Sequence, residues 1–136
     1  MISAVDSSVI LDVVTDAPVH ASASERLLRT SALEGKLVVS ECVLAEIYPV
    51  FGQPGVFDEF VADWQLEFIP SSYQSSQLAG AHFATFCKRG GKQGRVLADF
   101  LIGAHAQTHA DRLLARDRSY LRDYFEGLLV VDPATL

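Results

Sequence analysis

Cysteine is scarce in this chain, with two in 136 residues, Cys42 and Cys87. Neither has a partner at metal-binding spacing, and two thiols make no disulfide framework. They read as small buried hydrophobes of a protein in a reducing cytoplasm. Long apolar runs are also lacking, since none approaches the ~20 residues that a membrane span needs. The opening MISAVDSSVILDVV has no basic segment and meets an acid at Asp6, which argues against a signal peptide and for a strand of the fold. Basic side chains are nearly missing from the first part of the chain. Residues 1–87 hold 3 Lys and Arg against 11 Asp and Glu. Internal repeats, linkers and low-complexity tracts are lacking too.

What is present is an ordinary globular composition, 49% hydrophobic and 21% charged, of the length of one domain spanning residues 1–136. The net charge of −6 disfavours a polyanionic partner, but its distribution does not. Residues 88–136 carry 8 basic side chains against 6 acidic ones. Net charge governs solubility, whereas a local patch governs what docks.

Periodicity predicts alternating strands and helices. ISAV is a short apolar strand, and Asp6 or Ser7 can cap the helix SSVILDVV. Pro18 opens a second helix that Gly35 closes. KLVVS is a second strand, after which Ser40 caps ECVLAEIYPVF. QPG breaks the chain before a helix in which Phe57, Phe60, Val61 and Trp64 share one face. LEFIP, a helix QSSQLAGAHFATFCKR, a loop GGKQGR, a helix from Val96, a strand RLLA, a short helix DRSYLRDYF and a strand LLVV complete the chain. Uninterrupted apolar strands alternating with helices predict a three-layer α/β/α sandwich around a parallel sheet of four to five strands.

Ligands of such sheets gather outside the carboxyl ends of the strands. Asp6 ends the first strand and Asp117 the fourth. Glu46 lies in the helix after the second strand, and Asp99 in the first turn of the helix that feeds the fourth. Four acids scattered over more than a hundred residues can thus reach one sheet edge, where solubilising acids have no reason to collect.

Read in order, AVDSSVIL, SECVLAEIY, RVLADFLIGAHA, RLLARDRSYL and the ending LLVVDP resemble the PIN domain, in particular the VapC-like bacterial toxin ribonucleases of toxin–antitoxin pairs. The resemblance spans essentially the whole chain. It implies an endoribonuclease dependent on Mg²⁺ or Mn²⁺, with Asp6, Glu46, Asp99 and Asp117 as its acidic quartet. It also implies a cytoplasmic protein with an antitoxin partner, as a homodimer or a heteromer. The sequence departs from the family pattern twice. Ser8 stands where many members carry Asn, and Ala115 where many carry Thr or Ser, two positions before the fourth acid.

The residue types suit the implied chemistry. Oxygen-only ligands favour hard cations. Two carboxylates ~5 Å apart repel by about 3 kcal/mol at an effective dielectric near 20, a strain that a cation relieves. Asp6 and Asp99 are expected as principal ligands and Asp117 as an outer, water-mediated one. Glu46 is expected to orient water or complete a second site, with Ser7 and Ser8 as supports. Lys88, Arg89, Lys92 and Arg95 precede Asp99, and Arg112, Arg116 and Arg118 flank Asp117. Such a basic rim, with Arg116 included, would hold RNA against an acidic centre. Phe51, Phe57, Phe60 and Trp64, with Val50, form an apolar hairpin suited to a partner helix, which in the toxin family is the antitoxin's. His105 and His109 have the spacing of a helical zinc pair, but no HExxH surrounds them, and packing or surface histidines are the simpler reading. A phosphoacceptor receiver would want adjacent acids after its first strand and a lysine after its last, and neither is there. The remaining alternative is a PIN-like binding module that does not cleave.

Overall fold

The computed structural model describes residues 1–92 and 96–136. Its elements are β1 (Ile2–Val5), α1 (Ser7–Val14), α2 (Ala21–Glu34), β2 (Lys36–Val39), α3 (Glu41–Phe51), α4 (Pro54–Asp63), β3 (Leu66–Phe68), α5 (Tyr73–Lys88), α6 (Val96–His109), β4 (Arg112–Leu114) and β5 (Val130–Val131). Short 3-10 helices cover Ser119–Asp123 and Pro133–Thr135.

All strand pairings are parallel, in the order β3-β2-β1-β4-β5. The chain steps outward from β1 through β2 to β3 and then returns across the sheet to β4. Right-handed crossovers therefore put the helices of the outward steps on one face and those of the return on the other. This is the expected three-layer arrangement, with five strands. β1 and β4 are neighbours whose connections leave in opposite directions, so a crevice opens beyond their carboxyl ends. Val5, Val38, Leu113 and Leu114 are fully buried in the sheet, covered by Ile10, Leu28, Ile47, Phe100 and Phe125 from the flanking segments.

Local chemistry explains most boundaries. Asp6 caps α1 by accepting the Ser8 N–H, and Pro54 at the start of α4 follows Gly52, which holds a left-handed φ of 74°. The second helix begins later than Pro18 suggests. Ala17 O accepts the N–H groups of His20 and Ala21 in a turn, so regular helix starts at Ala21. Ser40 does stand at the start of α3, but its hydroxyl makes no cap bond. Gly103 is required for close packing, because a Cβ there would lie 2.9 Å from the Phe125 ring. α6 can consequently press against the segment after β4 and bring Asp99 to the crevice.

Candidate active site

Asp6 occupies the position directly after β1 and is 1% exposed. Its N–H donates to Leu114 O, which pins the β1 end to the β4 end. One carboxylate oxygen accepts both the N–H and the hydroxyl of Ser8. The Ser8 hydroxyl also accepts the Arg116 N–H at 3.1 Å, so this serine ties the first acid to the turn after β4. Ser7 donates its hydroxyl to Glu46 at 3.0 Å. Both serines after Asp6 thus touch an acid of the predicted quartet, while Ala115 is packed in the core.

Asp99 lies in the first turn of α6, where the helix N-terminus favours an anion. The Tyr120 hydroxyl donates to one of its oxygens at 2.6 Å, and Arg118 Nε stands 3.1 Å from the other. That second contact is an ion pair without hydrogen-bond alignment, and Arg118 Nε is buried with no aligned acceptor among the described residues.

The electrostatics show that three acids share this space. Burial pushes the Asp6 carboxyl above its ordinary value, and the Asp99 charge adds to this, against relief from Ser8 and Arg118. Burial likewise raises Glu46, with Asp6 and Asp99 adding to the shift. Tyr120 is raised by burial and by its bond to the Asp99 anion. Arg118 is destabilised as a cation by burial, but the charges of Asp6 and Asp99 outweigh that and hold its proton more firmly than usual. Arg118 thus pairs with Asp99, and Asp6 and Glu46 lie near enough to feel its charge.

Asp117 is not among them. Its side chain is 71% exposed and pairs with Arg116 at 2.9 Å. Its φ of 60° is left-handed, a conformation that Asp tolerates better than most residues. The turn sends successive side chains apart: Arg116 to Asp12, Asp117 outward, Arg118 into the crevice.

The basic rim is also redistributed. Arg116 makes two bonds of 2.9 Å to the two oxygens of buried Asp12, so its guanidinium belongs to the scaffold rather than to a free RNA-facing surface. Arg112, at the other end of β4, binds Ser3, Ser31 and Glu34. Lys88, Arg89 and Lys92 are exposed, with Arg89 lying over the Tyr124 ring. Arg95 lies outside the described residues. His105 is buried and donates Nε2–H to Ile69 O at 2.6 Å, which is a packing role.

The aromatic hairpin is half-buried. Phe51 contacts Phe57 and Phe60 edge-on or tilted at centroid distances of 5.5 and 5.1 Å, and Phe60 leads on to Trp64. No residue of α4 is fully buried, its Val56 is exposed, and so are Tyr48 and Val50 of α3. The two cysteines are free and half-buried rather than fully enclosed.

The PIN-domain family model matches residues 4–125, a span that contains every acid of the crevice. The chain belongs to the PIN-domain family. PIN domains are generally nucleases. The PIN fold here is similar to that of VapBC2 from Rickettsia felis, solved with a DNA fragment from its promoter, at 21% identity over 97% of this chain and 98% of that one, with a TM-score of 0.74. VapBC-1 from nontypeable Haemophilus influenzae matches at 18% identity over 98% and 99% of the two chains, with a TM-score of 0.73. FitAB bound to the IR36 DNA fragment matches at 19% identity over 100% and 97%, with a TM-score of 0.69. Among curated proteins, none matches. At these identities the likeness is one of fold.

The sequence marks Arg118 only as a neighbour of Asp117 and gives Tyr120 no role. The signal was the run ARDRSY, in which an arginine and a tyrosine follow the fourth acid. Its meaning depends on the left-handed turn at Asp117, which no local pattern announces.

Proposed function

We propose that this PIN domain is a metal-dependent endoribonuclease and the toxin of a toxin–antitoxin pair. The observation that carries the reading is the crevice beyond β1 and β4, where the Asp99 charge opposes the ionisation of Asp6, and the charges of Asp6 and Asp99 oppose that of Glu46. A divalent cation fits that donor set by chemistry, since its oxygens are all carboxylate and hard. Among the described residues, no three ligand side chains already stand in a metal-ligating arrangement. Asp6 and Asp99 would hold Mg²⁺ or Mn²⁺, with Glu46 beside them and Asp117 at the lip in an outer place. Such an ion, when bound, lowers the pKa of water and offsets charge building on a phosphodiester.

The chain's own residues supply the remainder. Ser7 orients Glu46 and Ser8 orients Asp6. The exposed Lys88, Arg89 and Lys92 form the rim that holds the RNA backbone against an acidic centre. An unpaired strand enters a narrow carboxylate pocket more readily than a duplex, so single-stranded or looped RNA is the expected substrate. The half-buried Phe51, Phe57, Phe60 and Trp64 ledge is the seat proposed for an antitoxin helix. The VapBC and FitAB neighbours support such a partner. No helix among the described residues is long and apolar enough to cross a membrane.

The test is cleavage of a labelled single-stranded RNA with Mg²⁺ or Mn²⁺. Products ending in 5′-phosphate and 3′-hydroxyl, lost with EDTA and with Asp99→Asn but kept with His105→Ala, are expected. Cyclic phosphate ends, or cleavage that survives EDTA, would overturn the mechanism. Growth arrest on induced expression, relieved by Asp6→Asn, would establish the toxin role.

A further inference from the structure

Arg118 lies where the carboxylates converge. Its charge eases the ionisation of both Asp6 and Glu46, and its Nε stands 3.1 Å from Asp99. The pairing is one of charge rather than fit. Nε is buried yet aligned with no acceptor among the described residues, although an arginine fork ordinarily binds a carboxylate through two directed bonds. Arg116, two positions earlier, makes that two-pronged contact with Asp12. Tyr120 closes the arrangement by holding the other Asp99 oxygen. Both oxygens of Asp99 are therefore engaged by residues from the same turn.

We propose that Arg118 is the resident cation of the crevice, clasped to Asp99 with the help of Tyr120, and that a divalent metal binds by exchanging with it. The inference rests on the metal-dependent reading above. A guanidinium and a dication cannot both sit among three carboxylates without repelling each other at close range. The arginine is the one able to leave. Its side chain keeps a route to solvent, being 28% exposed, and its Nη1 donates to the neighbouring Asp117 carbonyl at 3.1 Å rather than to an acid, while Nε has no aligned acceptor among the described residues. The resident cation balances the buried Asp6 and the half-buried Asp99 in the metal-free fold, and the same contact lowers the apparent metal affinity.

The experiment is calorimetric titration of the full chain with Mn²⁺, alongside melting in EDTA. Arg118→Gln is expected to bind Mn²⁺ about tenfold more tightly than wild type, and Tyr120→Phe a fewfold more tightly. Arg122→Gln controls for net charge, because Arg122 lies in the same turn and donates Nε–H to the Ser119 carbonyl instead of to an acid. It should change affinity less than about twofold, since screened surface charges act weakly at a distance. Metal-free Arg118→Gln should melt below wild type and gain more from Mn²⁺. Equal Mn²⁺ affinity in Arg118→Gln and Arg122→Gln would overturn the exchange while leaving the metal site standing. Absence of Mn²⁺ binding in wild type and in every folded variant would remove the metal reading and the exchange with it. If Arg118→Gln does not fold without metal, Tyr120→Phe decides, and no gain in its affinity overturns the proposal.

Discussion

Two arginines, two residues apart, each meet buried acid, and the outcomes are opposite. Arg116 grips Asp12 through two bonds, while Ser24 donates to the same carboxylate at 2.8 Å. Burial alone would raise the Asp12 carboxyl, but the bonds from Arg116 and Ser24 outweigh it and hold the group below its ordinary value. Arg118 meets Asp6 and Asp99 without such alignment, and there Asp6 stays raised. The difference is stoichiometry and geometry. One acid with a matching fork and a hydroxyl is a satisfied structural pair. Three acids around one poorly aligned cation are an unsatisfied site, and unsatisfied charge is what a ligand can use.

The largest effect should come from the unsatisfied side. Asp99→Asn should cut RNA cleavage by about a thousandfold or more, on the order of 4 kcal/mol of barrier, while circular dichroism shows the fold kept. Cleavage at wild-type rate would show that the crevice is not the catalytic centre.

On the satisfied side the loss should be of stability. Asp12→Ala leaves the Arg116 fork and the Ser24 hydroxyl unpartnered and should lower unfolding free energy by about 3 kcal/mol in urea titration. The Asp12 contribution is present above the ordinary carboxyl range and is lost as pH falls through the depressed native value. A change under 1 kcal/mol would place Arg116 among ordinary surface pairs.

Asp6 should behave in the contrary sense. A raised native pKa means that the folded state holds its proton longer, so stability falls as pH rises from the ordinary carboxyl value through the raised one. Asp6→Asn, still able to cap α1, should therefore gain about 1 kcal/mol at neutral pH without metal and lose that advantage on acidification. Equal melting of the two proteins at both pH values would contradict the strain assigned to the crevice.

The rim should show the smallest effect. Reversing Lys88 and Lys92 to Glu should weaken RNA binding and reduce the slope of log affinity against log salt by about 1.4, near 0.7 for each lost single-strand contact. An unchanged slope would leave those lysines as solvated surface.

The sequence was enough for the sheet and its edge. Apolar runs such as KLVV and RLL have to be buried on both faces, and alternation with helices forces parallel strands, so the acids after β1 and in α6 had one place to meet. Asp6, Glu46 and Asp99 were legible for that reason. The partners of Arg116 and Arg118 were not. Side chains adjacent in sequence share composition and charge, and only the left-handed turn at Asp117 sends them to different acids. That turn also put Asp117 outside the cluster and Tyr120 inside it. Periodicity reports which face a residue takes within its own element. The contact between α6 and the turn after β4 depends on Gly103 admitting Phe125, a meeting of segments distant along the chain, and such contacts are set by packing that no local pattern encodes.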